Sequence, residues 1–162
     1  MSKIKLFDQY VGNSEKIAIK RVFDSHFWAS GAGVANVEKF EKKFSNYIKC
    51  KNSIAVNSGT SALNLALSMF DIKNKEVLLP SLSFVSTAHA IVLNGGKPIF
   101  VDIDPKTLCI DSDQIEKLIT KKSIMILPVH FAGMPADLTK IKKIATKNKI
   151  HLVEDAAHAT GS

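Results

Sequence analysis

The stretch that indicates the fold of this chain most clearly is Val153-Glu154-Asp155-Ala156-Ala157-His158-Ala159-Thr160-Gly161-Ser162. An apolar run ends here in two adjacent carboxylates and continues into small residues with one imidazole. Proteins with open α/β sheets bind ligands outside the carboxyl ends of their strands. The stretch therefore predicts a strand end at which an acid faces a ligand-binding crevice.

Upstream of this stretch, short β-branched runs alternate with amphipathic segments from Phe40 onward, which is typical of a parallel sheet covered by helices. The predicted fold is α/β, with a mostly parallel sheet and helices on both of its faces. The predicted strands are residues 53–57, 76–79, 98–103, 124–129 and 150–154. The predicted helices are residues 15–23, a segment from about Val34 with one apolar side, and residues 60–70, 83–93, 111–119 and 137–147.

Composition places the chain among ordinary globular domains, since 46% of its 162 residues are hydrophobic and 23% are charged. The net charge of +7 comes from lysines that are spread along the chain, as in the pairs Lys42-Lys43, Lys121-Lys122 and Lys142-Lys143. No known nucleic-acid-binding motif accompanies these lysines. The charge therefore favours a solvated basic surface over a nucleic-acid site.

Signals for other compartments are missing from the sequence. Cys50 and Cys109 lie far apart with no CxxC spacing, and the first residues lack the apolar run of a signal peptide. No segment approaches the roughly 18 apolar residues that span a bilayer. We predict a cytoplasmic protein with no membrane contact and no nucleic-acid partner.

The string Ser58-Gly59-Thr60-Ser61 lies between a predicted strand and a predicted helix. A helix N-terminus carries unpaired N–H groups and partial positive charge, so small residues there let a phosphate approach closely. We expect Gly59 to permit a tight turn, and Thr60 and Ser61 to add amide and hydroxyl contacts. The alternative is a plain N-cap, for which serine and threonine are ordinary choices.

An aromatic residue near the start of the next predicted helix is a second candidate. Phe84 stands among hydroxyl residues in Pro80-Ser81-Leu82-Ser83-Phe84-Val85-Ser86-Thr87-Ala88-His89-Ala90. Its flat ring could lie over a flat cofactor, a contact that favours π-faces. The alternative from the residue alone is a core phenylalanine.

The third candidate is the acid pair itself. A carboxylate such as Asp155 can face a protonated ring nitrogen and favour its charged form. From the residues alone, the alternative that is more common for such an acid is a solvated cap or a metal ligand, and for His158 a satisfied polar residue. The five histidines, however, show neither HxxxH nor HExxH spacing and no Cys/His cluster, so we predict no metal site. The absence of GxSxG and GxGxxG argues against hydrolase and nicotinamide chemistry.

Together, the three motifs in this order and spacing resemble the DegT/DnrJ/EryC1/StrS family of pyridoxal-phosphate (PLP) sugar aminotransferases. The resemblance implies the large domain of a fold-type-I PLP enzyme. It implies phosphate contacts at Gly59, Thr60 and Ser61, and a cofactor ring stacked on Phe84. The implied catalytic acid is Asp155, facing the pyridine nitrogen, with His158 at the 3-hydroxyl. Further residues match the family pattern at Pro80, Ser83, Thr87 and His130, whereas His89 replaces a common asparagine.

The family reaction transfers an amino group from an amino acid, usually glutamate, to a keto group on a nucleotide-linked sugar. In the family, the lysine that carries the cofactor lies further along, and this chain ends before it. The resemblance thus implies an N-terminal fragment, inactive alone, of an enzyme that is a homodimer at full length. Its expected organisation is a helical segment at 1–30 and an incomplete PLP-binding large domain at 31–162.

None of the lysines present suits the role of cofactor carrier. Lys97 is expected in a loop after two glycines, and Lys121-Lys122 and Lys142-Lys143 belong to charged surface runs. Three hypotheses stay open: a shortened family member, an inactive binding or interaction module, and one half of a split enzyme.

Overall fold

The computed structural model describes residues 9–28 and 36–162. The chain forms two compact units, Met1–Ala55 and Val56–Ser162. The expected boundary between residues 30 and 31 and the expected helix start at Val34 lie outside the described residues, as do residues 1–8. The division into a segment at 1–30 and a domain at 31–162 stays a prediction.

The described residues of the first unit form the helices α1 (Asn13–Asp24) and α2 (Asn36–Ile48). Both were predicted, and α1 begins where the N–H of Gly12 donates to Glu15 Oε2 at 2.7 Å. The predicted apolar side of α2 carries two well-exposed rings, Phe40 and Tyr47.

The predicted strand at 53–57 is wrong, because these residues have no regular structure. A β-strand here would need a neighbouring strand as its hydrogen-bond partner, and these residues bond Glu41 of α2 instead. The N–H of Ala55 donates to Glu41 Oε1 at 2.8 Å, and the Ser53 hydroxyl donates to the Glu41 carbonyl at 2.6 Å. Hydrogen bonds to a residue of the preceding helix therefore overrode the β-branched pattern.

The second unit is built on four parallel strands in the order β2-β1-β3-β4. Their bounds are β1 (Glu76–Pro80), β2 (Lys97–Val101), β3 (Ser123–Ile126) and β4 (His151–Leu152). The predicted parallel sheet is confirmed, and three of its strands are shorter than the apolar runs suggested.

Helices cover both faces of this sheet, as predicted. On one face lie α3 (Gly59–Ser68) and α4 (Val85–Leu93), and on the other α5 (Ser112–Leu118) and α6 (Leu138–Asn148). Side chains of β1 alternate between the faces, so that Val77 and Leu79 enter one core and Leu78 the other. Fully buried side chains of the α3–α4 core include Leu67, Ile91 and Met125, and those of the α5–α6 core include Ile115, Ile126 and Ile141.

The sheet reverses its strand order between β1 and β3. The chain passes from β1 outward to β2 and then crosses back to β3 on the other side of β1. The carboxyl ends of adjacent strands diverge into a crevice at such a point. Lys97 lies at the opposite end of the sheet, because it is the first residue of β2 and not part of a loop as expected.

Candidate active site

Asp155 lies beside the extension of β3, at the carboxyl edge of the sheet. Its N–H donates to the carbonyl of Pro128 at 2.9 Å, and its carbonyl accepts the N–H of His130 at 3.1 Å. These bonds form a parallel bridge between Val129 and Asp155, beyond the two regular residues of β4. The predicted acid therefore lies at the carboxyl edge of the sheet, beyond the regular residues of β4. That it faces a ligand-binding crevice stays a prediction.

The carboxylate of Asp155 is buried and accepts one hydrogen bond on each oxygen. Oδ2 accepts from the Thr87 hydroxyl at 2.8 Å, and Oδ1 accepts from the N–H of Ala157 at 3.2 Å. The hydroxyls of Ser83 and Thr87 are 2.7 Å apart. Since Thr87 directs its proton to Asp155, Ser83 donates to Thr87. The hydroxyl chain fixes the rotation of the carboxylate.

The charge of Asp155 has no cationic partner in residues 9–28 and 36–162, where the ion pairs involve other acids. Both of its hydrogen-bond partners are neutral donors. A buried carboxylate that is compensated only in this way retains much of its desolvation cost. The two carboxylate oxygens of Asp155 are therefore suited to a ligand that brings positive charge.

Phe84 is the N-cap residue of α4 and its side chain is 74% exposed. Its carbonyl accepts the N–H of Thr87 at 3.1 Å, which places the ring and the Asp155 contact on the same helical turn. The alternative that Phe84 is a core residue is wrong. Its role against a cofactor ring stays a prediction.

His158 is exposed and is oriented by a turn that the sequence analysis did not single out. Its Nδ1 accepts the N–H of Ala132 at 3.1 Å, and its ring meets Phe131 edge-on with centroids 6.1 Å apart. Ala132 and Gly133 both have positive φ, at 51° and 87°. A Cβ at Gly133 would lie 3.2 Å from the His158 carbonyl, so this glycine was the available signal for the turn. The acceptor role of Nδ1 leaves the Nε2 proton of His158 for a ligand.

His130 is buried beside Asp155 and contacts the other acid of the pair. Its Nε2 lies 3.0 Å from Glu154 Oε2, and its Nδ1 accepts the N–H of Ala136 at 3.1 Å. In contrast, His89 is exposed on α4 and takes no part in this hydrogen-bond network. The departure at position 89 thus leaves the Asp155 cluster unchanged.

The turn before α3 is an N-cap, as the alternative reading of Ser58 predicted. Ser58 Oγ accepts the N–H of Ser61 at 3.1 Å, and the Ser61 hydroxyl donates to Asn57 Oδ1 at 2.7 Å. Both hydrogens of Ser61 are thus engaged inside the turn. The N–H groups of Gly59 and Thr60 have no partner in the part of the chain that the structure describes. They are the exposed donors at this helix end.

The expected reason for Gly59 is wrong, because its φ is not positive and no tight turn requires it. A Cβ placed there would meet no atom of the described residues within 4 Å. The glycine therefore leaves open space in front of the helix N-terminus, where a side chain would otherwise project.

The predicted site residues do not all belong to one hydrogen-bond network. No hydrogen bond among residues 9–28 and 36–162 links the turn at 57–61 to the Asp155 cluster. The same residues hold no group of three or more His, Cys, Asp or Glu side chains that suits a metal ion. None of the helices they form combines the length and apolarity needed to cross a membrane.

Comparison with known proteins places this chain in a family. Residues 9–162 match the profile of the DegT/DnrJ/EryC1/StrS aminotransferase family, and the chain belongs to it. It is 40% identical over 136 residues to GDP-perosamine synthase of Caulobacter vibrioides, covering 83% of this chain and 36% of that protein. It is 41% identical over 126 residues to 3-oxo-glucose-6-phosphate:glutamate aminotransferase of Bacillus subtilis, covering 77% of this chain and 29% of the relative.

A solved structure agrees with this assignment. NtdA from Bacillus subtilis, with bound cofactor PMP, superimposes with a TM-score of 0.82 and 37% identity. The superposition covers 90% of this chain and 34% of NtdA. The chain spans about a third of the length of the curated relatives that it matches.

Proposed function

We propose that this chain binds pyridoxal phosphate at the carboxyl edge of its sheet and serves an enzyme that moves an amino group from an amino acid to a keto sugar. The observation that carries the proposal is the Asp155 carboxylate, which is buried, held on both oxygens by neutral donors, and unpaired with any cation among the described residues. A protonated pyridine nitrogen supplies both the positive charge and the N–H donor that this carboxylate can use.

The residues around Asp155 fit the other parts of the cofactor. Phe84 offers an exposed ring on the helical turn that holds Thr87 against Asp155. His158 offers its Nε2 proton, and the N–H groups of Gly59 and Thr60, which have no partner among the described residues, offer donors for a phosphate. When bound, the cofactor supplies an electron sink for the substrate's α-carbon. Asp155 holds the proton on the ring nitrogen, on which that sink depends.

The names of the relatives support a proposal for the substrate class. One relative is a GDP-perosamine synthase and another acts with glutamate on a sugar phosphate, by its name. We propose glutamate as the amino donor and a keto group on a nucleotide-linked sugar as the acceptor.

These 162 residues hold the cofactor without a covalent link in our proposal. Lys97 pairs with Glu76 at the amino end of the sheet, whereas Val101 pairs with Pro80 near the site. The four intervening steps span about 13 Å along the strand. Lys142 and Lys143 are exposed on α6.

The binding claim is tested by titrating the chain with pyridoxamine 5′-phosphate whose ring nitrogen is labelled with ¹⁵N. We expect saturable binding and a protonated ring nitrogen at neutral pH. Asp155→Asn should abolish the protonation, whereas Asp113→Asn, at an exposed acid on α5, should leave it unchanged. No binding by the wild-type chain, or equal protonation in both variants, would contradict the proposal.

A further inference from the structure

We propose that His130 is a positioning residue that acts through Glu154 to hold Asp155 toward the cofactor's ring nitrogen. This inference rests on the proposed cofactor site. It assigns a role to a buried imidazole that does not itself belong to the set of proposed cofactor contacts.

The hydrogen bonds of His130 define a single neutral tautomer. The N–H of Ala136 donates to Nδ1 at 3.1 Å, so Nδ1 carries no proton. The proton therefore resides on Nε2, which donates to Glu154 Oε2 at 3.0 Å. The side chain is only 5% exposed, and both of its nitrogens have protein partners.

The same residue is bonded to Asp155 through the backbone. The N–H of His130 donates to the Asp155 carbonyl at 3.1 Å, and the N–H of Asp155 donates to Pro128 at 2.9 Å. His130 thus contacts two consecutive residues of the strand end, Asp155 by its main chain and Glu154 by its side chain.

Two fixed points on consecutive residues restrain the twist of the strand end. Successive side chains of an extended strand point to opposite sides, so the direction of the Glu154 side chain constrains that of Asp155. Glu154 is part-exposed, with 43% of its side chain accessible, and its partner His130 is almost fully buried. An otherwise solvent-facing acid is therefore anchored to the protein interior at the residue that precedes the catalytic carboxylate.

Two substitutions separate the contacts of the imidazole. His130→Asn keeps an oxygen near the Nδ1 position for the Ala136 N–H and loses the donor to Glu154. His130→Gln places an amide N–H near the Nε2 position for Glu154 and loses the acceptor for Ala136. Glu154→Ala removes the same contact from the other side, and Glu154→Gln keeps an acceptor oxygen.

The readout is the ratio of protonated to unprotonated ring nitrogen in bound ¹⁵N-pyridoxamine 5′-phosphate at neutral pH, with affinity and thermal stability measured alongside. We expect His130→Asn and Glu154→Ala each to lower the ratio roughly tenfold, the worth of one hydrogen bond. His130→Gln and Glu154→Gln should each retain most of the wild-type ratio. The variant that combines His130→Asn with Glu154→Ala should have a ratio no lower than that of either single variant. A purely structural role would lower stability in His130→Asn and leave the ratio unchanged, which would overturn the proposal.

A separate measurement distinguishes this inference from the proposed function. In the unliganded chain, the ¹⁵N spectrum of the His130 ring should show a protonated Nε2 and an unprotonated Nδ1, and Glu154→Ala should alter the Nε2 signal. The opposite tautomer, or an Nε2 signal that is unchanged in Glu154→Ala, would overturn the role of His130. If the wild-type chain fails to bind the probe while this ring signature is present, the proposed cofactor site fails and the contact through Glu154 stands.

Discussion

Thr87 Oγ1 lies 2.8 Å from Asp155 Oδ2 and joins the first turn of α4 to the strand end 68 residues further along the chain. Thr87 is fully buried, and its hydroxyl accepts a hydrogen bond from the Ser83 hydroxyl while it donates one to Asp155. The helix that presents Phe84 and the strand that presents Asp155 are thereby fixed to each other at the site. The first prediction tests this contact.

Thr87→Val should destabilise the fold by about 1–3 kcal/mol, because a buried carboxylate loses a donor without gaining water. Valine has nearly the same shape, so packing changes little. Thr87→Ser, which keeps the hydroxyl, is the matched control and should retain most of the stability. Urea unfolding followed by circular dichroism measures the difference. Equal stability of the valine variant and the wild type would mean that this contact does not support the site.

Asp155→Asn and Thr60→Val should affect different properties of the bound cofactor, the first its ring protonation and the second its affinity. Asp155→Asn should preserve cofactor phosphate contacts and remove ring protonation, so that in a complete enzyme turnover nearly disappears. Thr60→Val should weaken affinity by roughly 1.5–3 kcal/mol, as expected for a hydrogen bond to a charged group. Calorimetry and the ³¹P spectrum of bound pyridoxamine 5′-phosphate separate the two effects, with Thr146→Val on α6 as a control. Identical behaviour of the two site variants would refute the assigned roles.

Gly59→Ala should weaken cofactor binding without weakening the fold. Its Cβ would meet no atom within 4 Å in the part of the chain that the structure describes, and alanine even stabilises compatible positions by about 0.4–1 kcal/mol. Gly96→Ala is the contrasting control, since its Cβ would lie 2.9 Å from Ile91 Cγ2 and should cost about 1–3 kcal/mol. Thermal melts and ligand titration test the pair. If Gly59→Ala binds the cofactor with unchanged affinity, the open space before α3 is not part of the cofactor site.

Borohydride reduction in the presence of PLP should label no single lysine of the 162 residues stoichiometrically. Lys97 lies at the far end of the sheet, and Lys142 and Lys143 are exposed on α6. We expect only weak labelling spread over many surface lysines. Peptide mapping by mass spectrometry measures the distribution, and complete labelling of one lysine would contradict the proposed non-covalent binding.

The isolated chain should self-associate despite its charge of +7. Exposed apolar side chains include Met69 at 78%, Leu93 at 71% and Phe100 at 56%, and β2 and β4 are edge strands of the sheet. Repulsion between positive charges is screened over about 8 Å at physiological salt. Sedimentation velocity with a dye for apolar surface tests this. Replacing Met69 and Leu93 with lysine should reduce the association, and a monodisperse, dye-silent wild type would contradict it.

Much of the fold could be predicted because its signals are local. The caps Asp111 and Asp137 accept N–H groups two and three residues ahead, so each helix start is encoded within a few positions. The largely apolar segments at 76–79 and 124–129 indicate strands that are buried on both faces, which is typical of parallel sheets. The same local reasoning failed at 53–57, because Glu41 from a preceding helix bonds that segment.

The sequence by itself determined the class of fold and the candidate residues, since periodicity, caps and short motifs depend on neighbours along the chain. Only the tertiary structure decided how these residues are connected. The hydrogen bond from Thr87 to Asp155, the pairing of His130 with Glu154 and the turn that orients His158 all join segments far apart in sequence. Their geometry depends on strand order and register, which place β1, β3 and β4 side by side and which no local pattern encodes.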